Sequence, residues 1–126
     1  MPSFKDYCTK PAADAGRKLS IDGEQWLLVH GIGSDIHAKA VSDFRRLAIS
    51  KQAELPEDAS EEQQIESYNE AQKTVVYGIV SAWSFDEECT PDNVKELCDQ
   101  SGYLYEAINQ FAANLEEYKP EQKKSS

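Results

Sequence analysis

The chain has 126 residues, 40% of them hydrophobic and 29% charged, which suits one compact soluble domain and argues against a disordered chain or two ordinary domains. The formal net charge is −10, and it is uneven: residues 1–51 carry +2 and residues 52–126 carry −12. Such a balance opposes nucleic-acid binding, because that affinity comes largely from basic groups displacing counterions. It fits a very soluble protein, a basic protein partner, or an acidic imitation of DNA.

Met1–Gly16 is polar, contains Pro11 and ends in glycine, so it reads as a loosely ordered arm. It has no apolar h-region, and it carries Lys5 and Asp6, unlike a secretory signal. The uncharged run from Thr74 to Ser84 includes a glycine and two serines and is too short to span a bilayer. Both features predict a cytoplasmic protein.

Residues 17–30 predict a β-hairpin. Asp22-Gly23 is a two-residue type I′ turn signal, Leu19 and Ile21 alternate before it, and Gln25 to Val29 forms the return strand. Two strands are not stable alone, so Trp26 and Leu28 need helices or another chain to rest on. Gly31-Ile32-Gly33 resembles part of a phosphate-binding loop but lacks the third glycine and the lysine, and it reads better as a flexible turn.

Ser34 is an N-cap with Asp35 in the first turn, and Ile36, Ala40, Val41, Phe44, Leu47 and Ala48 give a helix over about Asp35–Ala53. Leu55-Pro56 stops it. Ser60 and Gln63 form a capping box for a helix over about Glu61–Ser84, striped by Ile65, Tyr68, Gln72, Val75, Ile79 and Trp83. Within it, Val75, Val76 and Tyr77 carry a competing strand propensity. Thr90-Pro91 caps a helix running to about Asp99 that buries Val94, Leu97 and Cys98. After Ser101-Gly102, Leu104, Ala107, Ile108, Phe111, Leu115 and Tyr118 stripe a last helix, and Lys119–Ser126 reads as a disordered tail. The whole is a mainly α fold: one small domain over 1–118 with about four helices over 35–118 and a short N-terminal hairpin.

The stretch "SAWSFDEECTPDNVKELC" gathers an aromatic pair, acids and two cysteines. Carboxylates that do acid–base work need burial or a paired partner to move their pKa. Asp86, Glu87 and Glu88 sit in an exposed linker, so the stretch reads as a joint between helices. Three cysteines, Cys8, Cys89 and Cys98, at irregular spacing without a CxxC do not make a zinc site, and neither His30 nor His37 has a placed nucleophile or acid to complete a triad. No cofactor, metal or catalytic group is expected, and function belongs to a surface. The rival readings are a DNA-mimic inhibitor, from the acidic half, and a small enzyme using His30 or His37.

Three stretches follow one another: "FKDYC", then "IDGEQWLLVHGIGSD", then "VVYGIVSAWSFDEECTPDNVKELCDQSGYLYEAINQFAANLEEY". This order of parts resembles the tail assembly chaperones of long, non-contractile-tailed bacteriophages. In that family an apolar helix ends in tryptophan and an acidic turn, followed by "TPxNVxxLL" and a last helix "WLxxxIxxFAxxxxxF". Trp83, Phe85, Asp86, Thr90, Pro91, Asn93, Val94, Leu97, Tyr103, Leu104, Ile108, Phe111, Ala112 and Tyr118 fall on those positions. Tyr103 stands where tryptophan is common and Cys98 where leucine is common; both keep an apolar face.

The resemblance implies a non-catalytic chaperone of the host cytoplasm, absent from the finished virion. Its partner would be the long, helical tape measure protein, kept soluble until tail tube subunits polymerise around it, with the tail tube protein as a further partner. It also implies a homo-oligomer, and a slippery codon run at Lys123-Lys124 that appends a longer form. No nucleic acid or membrane is expected as partner. The residues expected to make partner or self contacts are Leu19, Ile21, Trp26 and Leu28 of the hairpin, and Tyr103, Tyr105, Phe111 and Tyr118 of the last helix.

Overall fold

The structure, a computed structural model, describes residues 3–120. Most of the sequence assigned to the expected arm is ordered into short helices. Ser3 caps a 3₁₀ turn, Phe4–Tyr7, and α1 follows as Lys10–Ala15. Ala12 and Ala13 are buried, and α1 ends at Gly16, whose φ of 84° is open only to glycine without strain. A Cβ there would also meet the Leu28 side chain at 3.0 Å, so the chain turns directly against the sheet.

Strands β1 (Arg17–Ser20), β2 (Trp26–Val29) and β3 (Val80–Trp83) form one antiparallel sheet in the order β1-β2-β3. The hairpin is present, but its turn differs from the two-residue type I′ expectation. Ser20 pairs with Trp26, which leaves a five-residue loop, and Gly23 does not have positive φ. The cause is the Asp22 side chain. Its Oδ1 accepts the N–H groups of Glu24 and Gln25 at 3.0 and 2.9 Å and so organises a wider turn than the dipeptide alone would.

Helices α2 (Asp35–Glu54) and α3 (Glu61–Gly78) follow the predicted caps: Ser34 Oγ accepts from His37 N, and Ser60 with Gln63 makes the full capping box. The expectation of one helix over Glu61–Ser84 is corrected. The helix stops at Gly78, and residues 80–83 are a strand. The apolar run gives no periodicity to decide between the two, because Val76, Tyr77, Ile79 and Val80 are all buried. The free edge of β2 decides it: His30 N–H donates to the Ile79 carbonyl at 2.9 Å, and Ser84 N–H to the Trp26 carbonyl at 3.1 Å. Leu28 pairs with Ala82 and Val29 with Val80, so Ser81 is an extra residue, a β-bulge.

Helices α4 (Pro91–Gln100) and α5 (Gly102–Ala113) complete the layer over the sheet. The last helix is shorter than its stripe suggested. Asn114 breaks it by accepting the Glu116 N–H, and Leu115–Tyr118 forms a 3₁₀ turn that leaves Leu115 exposed and Tyr118 buried. Leu27 and Val29 of β2 meet Val76, Tyr77, Val94, Cys98, Ile108 and Ala112 in the main core. At the base of the α2–α3 pair, Gly78 faces Ala40; an added Cβ would sit 3.1 Å from the Ala40 Cβ, so small residues bring the two helices close. Of the expected disordered tail, Glu121–Ser126 lies outside the described residues, as does the Lys123-Lys124 pair.

Candidate functional site

The turn after β3 is built by long-range bonds from Ser84 together with local bonds of its own. Ser84 Oγ accepts the Trp26 N–H at 2.9 Å and donates to Gln25 Oε1 at 2.7 Å, which ties the turn to the hairpin. Trp83 Nε1–H donates to the Glu87 carbonyl at 2.6 Å, and Asn93 Nδ2–H to the Glu88 carbonyl at 2.7 Å. Thr90 Oγ1 accepts the Asn93 N–H and caps α4. None of these anchors uses the carboxylates of Asp86, Glu87 and Glu88, which stay exposed in water.

These anchors frame a cleft. Trp83, Phe85 and Leu97 form its apolar floor, and Glu87, Glu96, Asn93 and Gln100 its polar rim. The rings of Trp83 and Phe85 pack edge to face with centroids 5.2 Å apart, and both rest on the core. A rigid aromatic floor with a negative rim suits an apolar helix face flanked by basic residues.

The eight residues expected from the sequence are not one surface. Leu19, Ile21, Tyr105 and Phe111 are partly buried against the main core. Tyr118 is only 1% exposed; it joins Ala12 and Ala13 in a second cluster, and its hydroxyl donates to the Val29 carbonyl at 3.0 Å. Burial pushes its phenol pKa well above the ordinary tyrosine range. Trp26 and Leu28 are half-buried on the sheet face opposite Leu27 and Val29, with Lys18 Nζ 4.4 Å from the centre of the Trp26 ring. Tyr103 is 69% exposed. The floor of the cleft was missed as a site because a helix through Ser84 would hide Trp83. The alternation of Ala82, Trp83, Ser84 and Phe85 is the signal that could have found it.

The titratable groups behave as structural ones. His30 is buried, its Nδ1–H donating to the Ala13 carbonyl at 3.1 Å and its Nε2 sharing a hydrogen with Ser81 Oγ at 2.7 Å. Burial lowers the pKa of His37. The Cys89 thiol donates to the Val80 carbonyl, and burial raises its pKa; burial pushes Cys98, next to Asp99, up to about 11. Thiols so disposed are poor nucleophiles. Among the described residues no three His, Cys, Asp or Glu side chains gather as metal ligands. No helix among them is long and apolar enough to cross a membrane.

The chain matches no curated protein and no solved structure. A family model described as phage tail assembly chaperone matches residues 33–123, from the glycine turn through the cleft to the last helix, well over half of the chain. The cleft and the helices that frame it therefore fall within the matched region, while β1 and β2 precede it, and the chain belongs to the phage tail assembly chaperone family.

Proposed function

We propose that this chaperone binds the tape measure protein, keeps it soluble until tail tube subunits polymerise around it, and does no chemistry on it. The cleft carries this reading: Trp83, Phe85 and Leu97 offer an apolar floor on a chain of net charge −10, with Glu87 and Glu96 at its rim. A long helical protein exposing apolar stripes gains solubility when such stripes are covered by an acidic partner. Many chaperone copies along one extended chain also let weak single contacts suffice. Action in the host cytoplasm and absence from the finished virion follow from this role. Of the expected contact set, Tyr103, exposed and two residues beyond Ser101 of the cleft, would extend the contact, and Trp26 would offer a separate one on the other face of the sheet, with the tail tube protein as a further partner.

Co-expression with the tape measure protein from the same phage tests the proposal. The wild-type chain is expected to keep the tape measure protein soluble and to co-purify with it. Glu87→Lys with Glu96→Lys should weaken that binding at least tenfold while the far-UV CD spectrum stays the same. A wild-type chain that neither solubilises nor retains the tape measure protein would sink the reading. A charge-reversed variant that binds as well as wild type would remove the cleft from it.

A further inference from the structure

β1 closes the sheet on one side, and its outer edge is open. Ile21 N–H donates to the Gln25 carbonyl at 2.8 Å, so in the same register Leu19 and Arg17 turn their backbone groups to β2. Trp26 gives its N–H to Ser84 Oγ and accepts the Ser84 N–H at its carbonyl, so it turns away from its β1 partner, Ser20. Both observations leave the N–H and C=O groups of Lys18 and Ser20 pointing out of the sheet. None of these groups has a hydrogen-bond partner among the described residues, and both residues are exposed.

Sheets blunt an unused edge with a proline, a bulge or a lysine standing over it. β1 has no proline, and its pairing with β2 runs without a shift. The Lys18 ammonium is drawn back across the sheet, 4.4 Å from the centre of the Trp26 ring, and leaves the edge clear. The two faces at the edge differ. Leu19 and Ile21 pack on the core and stay only half-buried, while Lys18 and Ser20 stand on the outer face with Trp26 and Leu28. Arg17 and Lys18 have no ion-pair partner among the described residues, whereas the loop past Ser20 carries Asp22 and Glu24. β1 and β2 precede the region shared with the chaperone family, so this edge is a feature outside that match.

We propose that an extended, acidic segment of another protein adds to the sheet here as a further strand, antiparallel to β1. The N–H and C=O groups of Lys18 and Ser20 hold its backbone. An apolar side chain opposite Leu19 covers Leu19 and Ile21. The next residue lies on the outer face and brings a carboxylate beside Lys18. Asp22 and Glu24 keep further carboxylates away from the loop end, so charge and pleat together fix the register. A second copy of β1 would offer Arg17 and Lys18 and no carboxylate, which is why the segment is foreign. The edge lies across the sheet from β3 and the Trp83–Phe85 cleft, and the proposal does not depend on the tape measure reading.

The test titrates two short capped peptides into the full chain, one alternating valine with glutamate and one alternating valine with lysine, and follows backbone amide exchange by NMR. The glutamate peptide is expected to slow exchange at Lys18 and Ser20 and to leave Leu19, already bonded to β2, unchanged. The lysine peptide should bind at least tenfold more weakly, and Lys18→Glu should reverse that preference. Ser20→Pro removes an N–H that serves no bond within the chain, so it should weaken binding at least tenfold with an unchanged helical CD spectrum. A glutamate peptide that protects neither amide overturns the proposal. Equal protection by both peptides overturns the acidic partner. Protection of the same amides in the chain alone, as its concentration rises, gives the edge to a second copy and overturns the foreign segment. Binding indifferent to Ser20→Pro places the contact elsewhere and overturns the edge as its site.

Discussion

Gly31 shows how little room the interior leaves at single positions. An added Cβ would come within 2.8 Å of the Tyr118 ring, whose hydroxyl is held by the Val29 carbonyl and which packs edge to face on Phe111. The ring cannot swing away without losing both partners. Gly31→Ala is therefore expected to cost about 1–3 kcal/mol, the range for overpacking a close-packed core, and to lower the midpoint of urea unfolding. The glycine that reads in sequence as a flexible turn is a tightly packed one, and this could not be foreseen, since Tyr118 arrives from the far end of the chain. Tyr118 itself shows the same limit: its spacing placed it on the stripe of the last helix, but Asn114 redirects it into the second cluster.

Elements whose signals are local were legible. Ser34, Ser60 with Gln63, and Thr90 with Pro91 each cap the helix they announce, because a cap is made within four residues of sequence. Elements decided by distant partners were not. The hairpin turn is a local exception, set by the Asp22 carboxylate within the turn, but the strand after Gly78 exists because β2 offers it a ladder. The candidate cleft shares this origin, which is why its acids were legible as an exposed joint and its aromatic floor was not. Ser84 is the test of that dependence. Ser84→Ala leaves the Trp26 N–H and the Gln25 side chain without their partner, so it is expected to cost about 1 kcal/mol and to change the tryptophan fluorescence. The urea midpoint and the emission spectrum measure the two effects.

At the scale of the molecule, stability is bounded by burial on both sides of neutrality, with carboxylates adding to the loss at lower pH. Cys98 is raised from 9.0 to about 11, and Tyr77, Tyr105 and Tyr118 are also raised, each mainly by burial. Above pH 9 the unfolded chain loses these protons while the native chain keeps them. Stability is then lost as pH rises through 9 to 11, on the order of 2 kcal/mol from Cys98 alone. On the acid side His37 is lowered by burial, so the unfolded chain takes up its proton first and stability declines as pH falls through 6.5. Asp14 is held low by Lys10 and by the Asp35 N–H, and Asp22 by two backbone N–H groups, so their contribution is lost at lower pH, below 3.8. Thermal midpoints measured across pH are expected to form a plateau between about 6.5 and 9, with a decline on both sides.

The second cluster has a further consequence for the molecule as a whole. Ala12 and Ala13 touch Tyr118, and Asp14 accepts the first N–H of α2, so α1, the last 3₁₀ turn and the root of α2 share one corner. The tip of α2 lies about 30 Å away, at about 1.5 Å per residue. The backbone is thus nearly a closed ring, with its seam at the root and its outermost bend at Pro56–Asp58. A circular permutant, opened at that bend and bridged between the α1 and Tyr118 sides, would keep the whole interior. Cargo attached at the seam would leave the reach of the α2–α3 pair unobstructed.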